Sequence, residues 1–189
     1  FQNNWIDAEL KSGKSPGAFA ASTIPSIHPY ILTNFHGKTR DVMTLAHELG
    51  NGCHQYLSSK QGLLLSSTPL TLAETASVFG EMMTFRTLLD ESSSETKKYL
   101  LASKIEDMIN TVVRQISFFE FEKLVHTERK NGELSSDQIC EFWMKTQSES
   151  LGPHIELTEG YKYFWTYIPH FIHTPFYVYA YAFGDCLVN

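Results

Sequence analysis

From Glu95 to Lys130 the chain contains neither glycine nor proline. A stretch that long without either backbone breaker favours one extended α-helix. Its apolar residues agree, because Leu101, Ile105, Met108, Val112, Ile116, Phe119 and Val125 roughly follow a helical period. The spacing predicts about nine turns at ~3.6 residues each, closed by Asn131-Gly132. An element of that size in a chain of 189 residues makes the fold mainly α.

The front of the chain reads differently. Gly13, Pro16, Gly17, Pro25 and Pro29 punctuate the first 35 residues. Gly17 to Ser22 and His28 to Phe35 are predicted as short strands of a small antiparallel β-sheet. After Gly37 the period changes. Val42, Leu45, Ala46, Leu49, Cys53, Tyr56 and Leu57 form one helical stripe, with Asp41 as its first-turn anion or N-cap. A second helix is expected from Thr71, where Thr71-Leu-Ala-Glu74 matches a capping box. Another is expected from Ser135 to about Ser150, and a last one from near Pro175. The reading is one domain over 1–189, strands and turns in 1–37 and helices in 38–189.

Fifteen basic residues against 21 acidic give a net charge of -6. That sign repels a phosphate backbone, so no nucleic-acid partner is expected. No apolar run approaches the ~20 residues of a bilayer span, and no export signal is visible at the N-terminus. Cys53, Cys140 and Cys186 are an odd, widely spaced set that fits reduced thiols and a cytoplasmic location. Aromatic residues crowd between Tyr161 and Phe183, suggesting a wet, functional wall rather than a dry core.

The densest chemistry lies in Thr44-Leu-Ala-His-Glu-Leu-Gly-Asn-Gly-Cys-His-Gln55. The zinc-peptidase pattern His-Glu-x-x-His sets two histidines one turn apart on a helix face, where they can share a metal, with the glutamate as general base. Here His47 and Glu48 are present, and Asn51 occupies the place of the second histidine. His54 is a poor substitute. It lies seven residues on, a rise of ~10.5 Å, too far for two nitrogens that must each come within ~2.1 Å of one ion. Glu74, 27 residues after His47, is the natural carboxylate ligand from a neighbouring helix, unless it only closes the capping box with Thr71. Glu81, two turns beyond Glu74, would orient a ligand or stand as a solvated charge.

These stretches resemble the oligoendopeptidase F branch of the thimet-oligopeptidase-like zinc metallopeptidases. The resemblance is carried by His28-Pro-Tyr-Ile-Leu-Thr-Asn34, Thr44-Leu-Ala-His-Glu-Leu-Gly50, Ala73-Glu-Thr-Ala-Ser-Val-Phe-Gly-Glu81 and Ile168-Pro-His-Phe-Ile-His-Thr-Pro-Phe-Tyr-Val-Tyr-Ala-Tyr181. It implies a zincin-like catalytic core that hydrolyses short, unfolded peptides through a metal-activated water. His47 and Glu74 would bind one zinc ion, and Glu48 would be the base. His170 would bond the substrate carbonyl or the tetrahedral intermediate. One or more of Tyr177, Tyr179 and Tyr181 would donate a hydrogen bond to the oxyanion. The strand from Tyr30 to Asn34 would offer its edge to an extended peptide.

The sequence departs from this pattern twice. Asn51 is a weak, neutral oxygen ligand where zinc prefers imidazole, thiolate or carboxylate. Its presence predicts a weakened or absent zinc and impaired hydrolysis. Family members are also considerably longer, so the chain reads as a catalytic-core fragment whose partner is the missing N-terminal lobe. The alternative is a catalytically inactive descendant that binds peptides or serves as a scaffold.

Overall fold

The computed structural model describes residues 1–189, the side chain of Leu70 excepted. It is mainly α with a three-stranded sheet. In chain order the elements are β1 (Ile6–Asp7), β2 (Phe19–Ala21), β3 (Tyr30–Leu32), α1 (Thr39–Ser58), α2 (Thr75–Glu91), α3 (Ser94–Ile109), α4 (Gln115–Glu128), α5 (Ser136–Leu151), α6 (His170–His173) and α7 (Tyr179–Val188). They form two compact units, Phe1–Ser103 with Phe183–Asn189, and Lys104–Ala182.

In the first unit the sheet order is β1-β3-β2. β2 pairs antiparallel with β3, as the sequence predicts. β1 pairs parallel to β3, with Ile6 opposite Ile31 and Asp7 opposite Leu32, so the sheet is mixed rather than antiparallel. Two residues are too few to show a strand period, which is why β1 escapes sequence reading. β3 is therefore the central strand. Its edges are both taken, so Tyr30 to Asn34 cannot offer one to a peptide. Lys14 staples this region, its ammonium donating to the carbonyls of Asp7, Glu9 and Thr33.

α1 begins where the polar pattern places it. Asp41, in its first turn, accepts from the backbone N–H groups of His36 and Lys38, and these bonds hold its carboxyl below the usual range. α1 and α2 then cross almost backbone to backbone. A Cβ on Gly80 would lie 2.7 Å from the Ala46 carbonyl oxygen, and one on Gly50 would overlap the Ala76 carbonyl. Only glycine permits that approach. α2 starts at Thr75 rather than near Thr71, after a single 3₁₀ turn at Leu70–Leu72, and the Thr71–Glu74 capping box does not form.

The glycine-free run is helical throughout, as expected, but a π-helical turn at Asn110–Arg114 separates α3 from α4. A capping box between Ser135 and Gln138 opens α5. In the second unit Phe118, Phe121, Trp143, Ile168 and Val178 form a core, and Tyr161, Trp165 and Phe171 pack against it. The aromatic segment is thus partly dry core. Tyr163, Phe164 and Tyr167 remain exposed, on a 3₁₀ stretch from Glu159 to Tyr167. The last helix starts at Tyr179, not near Pro175, because Thr174 to Tyr177 form a turn.

The helix crossing reverses an ordinary rule. Glycine to alanine in an exposed helix gains up to about 1 kcal/mol. Gly50→Ala is expected to lose about 1–3 kcal/mol instead, through overpacking. Urea unfolding at unchanged m-value checks this.

Candidate active site

The close crossing of α1 and α2 brings His47 onto two carboxylates. Glu74 stands immediately before α2, and Glu81 lies two turns further along. The His47 Nε2 is 3.2 Å from Glu74 Oε2, and its Nδ1 is 2.5 Å from Glu81 Oε1. Glu74 is 3% exposed, and the hydroxyl of Ser77 sits 3.0 Å from the same Oε2. An imidazole with a carboxylate on each nitrogen donates from both, so it is the cation. Burial pushes the His47 pKa down, but the hydrogen bonds to Glu74 and Glu81 outweigh it and raise the value to about 10.

Glu48 is the next residue on α1 and is also buried. Burial raises its carboxyl above the usual range, and the charge on Glu74 adds to that. The His47 cation, a hydrogen bond from the Asn51 side chain and one from the Ala20 N–H oppose it. The Ala20 carbonyl accepts from Gln55 Nε2 at 3.1 Å. α1 therefore holds the edge strand β2 at Ala20. Sequence reading missed this contact, whose only trace is Glu48 and Gln55 standing seven residues apart on one helix face.

A catalytic zinc ion needs three protein donors around one point. Two atoms bound at ~2.1 Å to a tetrahedral ion stand about 3.4 Å apart. The 3.2 Å between His47 Nε2 and Glu74 Oε2 has that scale, so these two donors converge on one point. Glu81 on the opposite nitrogen is placed as an orienting group. No third such donor joins His47 and Glu74, and no three His, Cys, Asp or Glu side chains assemble for a metal among the described residues. His54 lines a separate apolar groove of about 1040 Å³ with Val42, Leu49, Phe79 and Leu187, and that groove holds none of His47, Glu48, Asn51 or Glu74. The residues present do not fit a catalytic zinc centre.

The second unit gathers its own polar cluster. His170 opens α6. The Tyr177 ring stacks on it at 5.5 Å, and Tyr181 Oη is 3.2 Å from His170 Nε2. The Tyr177 and Tyr181 rings meet edge to face at 5.4 Å. Tyr179 lies apart, its ring edge-on to Phe119 at 5.5 Å. His173 is exposed.

The sequence profile of peptidase family M3 matches residues 1–184. The chain belongs to peptidase family M3. Among its M3 relatives, an oligoendopeptidase F homolog of Borreliella burgdorferi is 35% identical over 187 residues, covering 97% of this chain and 31% of that protein. Oligopeptidase PepF of Bacillus subtilis is 32% identical, covering 97% and 28%. The crystal structure of oligoendopeptidase-F from Enterococcus faecium is 28% identical with a TM-score of 0.58, over 80% of this chain and 28% of that one. PZ peptidase A, at 20% identity and a TM-score of 0.80 over 97% of this chain and 33% of that one, shares the fold. The chain spans about 30% of the length of the relatives it matches. No helix among the described residues is long and apolar enough to cross a membrane.

A pH dependence follows from the His47 clamp. Its ordinary pKa of 6.5 is raised to about 10 in the fold. The clamp therefore contributes fully below pH 6.5, and its contribution is lost as pH rises through about 10. Glu81→Gln is expected to lower the His47 pKa and flatten the decline in stability between these limits. Histidine-selective NMR titration and thermal melts across that range check both.

Proposed function

We propose that this chain is the catalytic-core portion of an M3 oligoendopeptidase, acting on short peptides, in which zinc binding and hydrolysis are impaired by Asn51. The observation that carries the reading is the convergence of His47 Nε2 and Glu74 Oε2 at 3.2 Å, with an asparagine at the position where the His-Glu-x-x-His pattern has its second histidine. Family membership supports peptides as the substrate class. The names of these oligopeptidase relatives support oligopeptides in particular.

In this reading His47 and Glu74 are the remaining metal ligands, and Asn51 is a failed third. Glu48 is the proposed proton acceptor, its carboxyl raised by burial toward the range useful for a base. His170, with Tyr177 and Tyr181, is the proposed donor set for the substrate carbonyl. Tyr179 is set aside, because its ring packs on Phe119. The remaining length of such a protein is the proposed cover for the apolar groove beside α1 and α2.

The second reading, a peptide-binding descendant without hydrolysis, draws on the same Asn51, a neutral side chain where the first reading needs a metal ligand. A restored ligand separates the two. Asn51→His is expected to raise zinc affinity by at least about tenfold, measured by titration with zinc alone. Unchanged affinity would remove Asn51 as the cause and favour the inactive descendant.

A further inference from the structure

The segment joining α6 to α7 holds a backbone conformation that its sequence disfavours. The Tyr177 N–H donates to the Thr174 carbonyl at 3.2 Å, closing a four-residue turn with Pro175 second and Phe176 third. Phe176 has a φ of 62°. That is the left-handed region a type II turn requires of its third residue, a place where glycine or asparagine is usual. A bulky side chain there is an outlier that its surroundings must hold in place.

The holding group is on α4. Glu122 is 2% exposed, and its Oε1 accepts from the Phe176 N–H at 2.6 Å. The turn's own hydrogen bond does not use that N–H, so it is available to an outside acceptor. Glu122 Oε2 is buried without a hydrogen-bond partner. Its contact with Phe176 is thus the bond that accounts for a carboxyl so deep in the unit. One turn along α4, the His126 ring lies 4.7 Å from the Phe176 ring. α4 therefore grips both the backbone and the ring of Phe176. The next residue, Tyr177, stacks on His170, and Tyr181 follows one turn later with its hydroxyl at His170 Nε2.

We infer that Glu122 is a positioning residue: its Oε1 holds the Phe176 N–H, and so locks the turn that sets Tyr177 and Tyr181 against His170. It acts through the turn and touches no reacting atom. The functional meaning of the His170 cluster rests on the reading proposed above, whereas the clamp is tested without metal or hydrolysis.

The test is NMR of the His170 ring in the whole chain, assigned with His170→Gln. The stacked Tyr177 ring and the edge of Tyr181 displace its signals by ring current. Glu122→Leu removes the acceptor and is expected to abolish that displacement in a folded protein. Glu122→Gln keeps a carbonyl oxygen and is expected to preserve it. A folded Glu122→Leu chain with unmoved His170 signals would overturn the inference, as would equal loss in the Gln variant. Should Glu122→Leu fail to fold, adding Phe176→Gly decides, because glycine takes the turn without a clamp. A folded double variant supports the inference, and an unfolded one overturns it. Failure of Asn51→His to gain zinc would leave every one of these signals unchanged, so the two readings fail separately.

Discussion

A buried carboxylate needs a positive partner, and much of the first unit is arranged around that need. Glu74 is almost wholly enclosed. Leaving it charged and unpaired there would cost several kcal/mol. A metal ion would supply the neutralising charge. In this structure the His47 imidazolium supplies it, held by Glu74 on one nitrogen and Glu81 on the other. The arrangement is possible because Gly50 and Gly80 let two helices approach closely enough for side chains of both to share one small volume.

Asn51 fits the same account. A histidine there would bring a second imidazole to the metal side of α1. The carboxamide carries no charge, so it adds no second cation beside Glu48 and Glu74, and its nearness to Glu48 works against the rise that burial gives that carboxyl.

In the second unit a buried acid again meets a specific hydrogen-bond donor. Glu122 faces a backbone N–H rather than a cation, and that N–H belongs to Phe176, the strained residue of the turn. Below it, Gln147, Ser117 and Tyr161 form a satisfied polar chain at the margin of the aromatic core. Polar groups inside this protein are used to fix geometry near its histidines and its core.

Much of this was legible in the residues. The stripe after Asp41 marks α1, Ser135 and Gln138 mark the cap of α5, and the glycine-free run marks the long helical stretch. His47 and the spacing to Glu74 and Glu81 identify the three residues that meet. Other features leave no sequence trace. A π turn adds one residue to a helix without changing its composition. The Thr71–Glu74 pattern reads as a cap, but Glu74 is committed to His47. β1 is too short for a period, so the sheet's mixed pairing and the central place of β3 stay hidden. Glu122 sits within Phe-Phe-Glu-Phe-Glu, where nothing says which acid turns inward. Tyr177, Tyr179 and Tyr181 differ only in which ring reaches His170, and helix phase after the Thr174 turn decides that.

Zinc competition with a chromophoric chelator, on the unsubstituted chain near neutral pH, tests the central claim most directly. With one ligand replaced and His47 held as a cation, the chain is expected to leave the metal with a chelator of sub-micromolar affinity. Transfer of one zinc per chain, held more tightly than that, would mean the site is complete and would contradict the account.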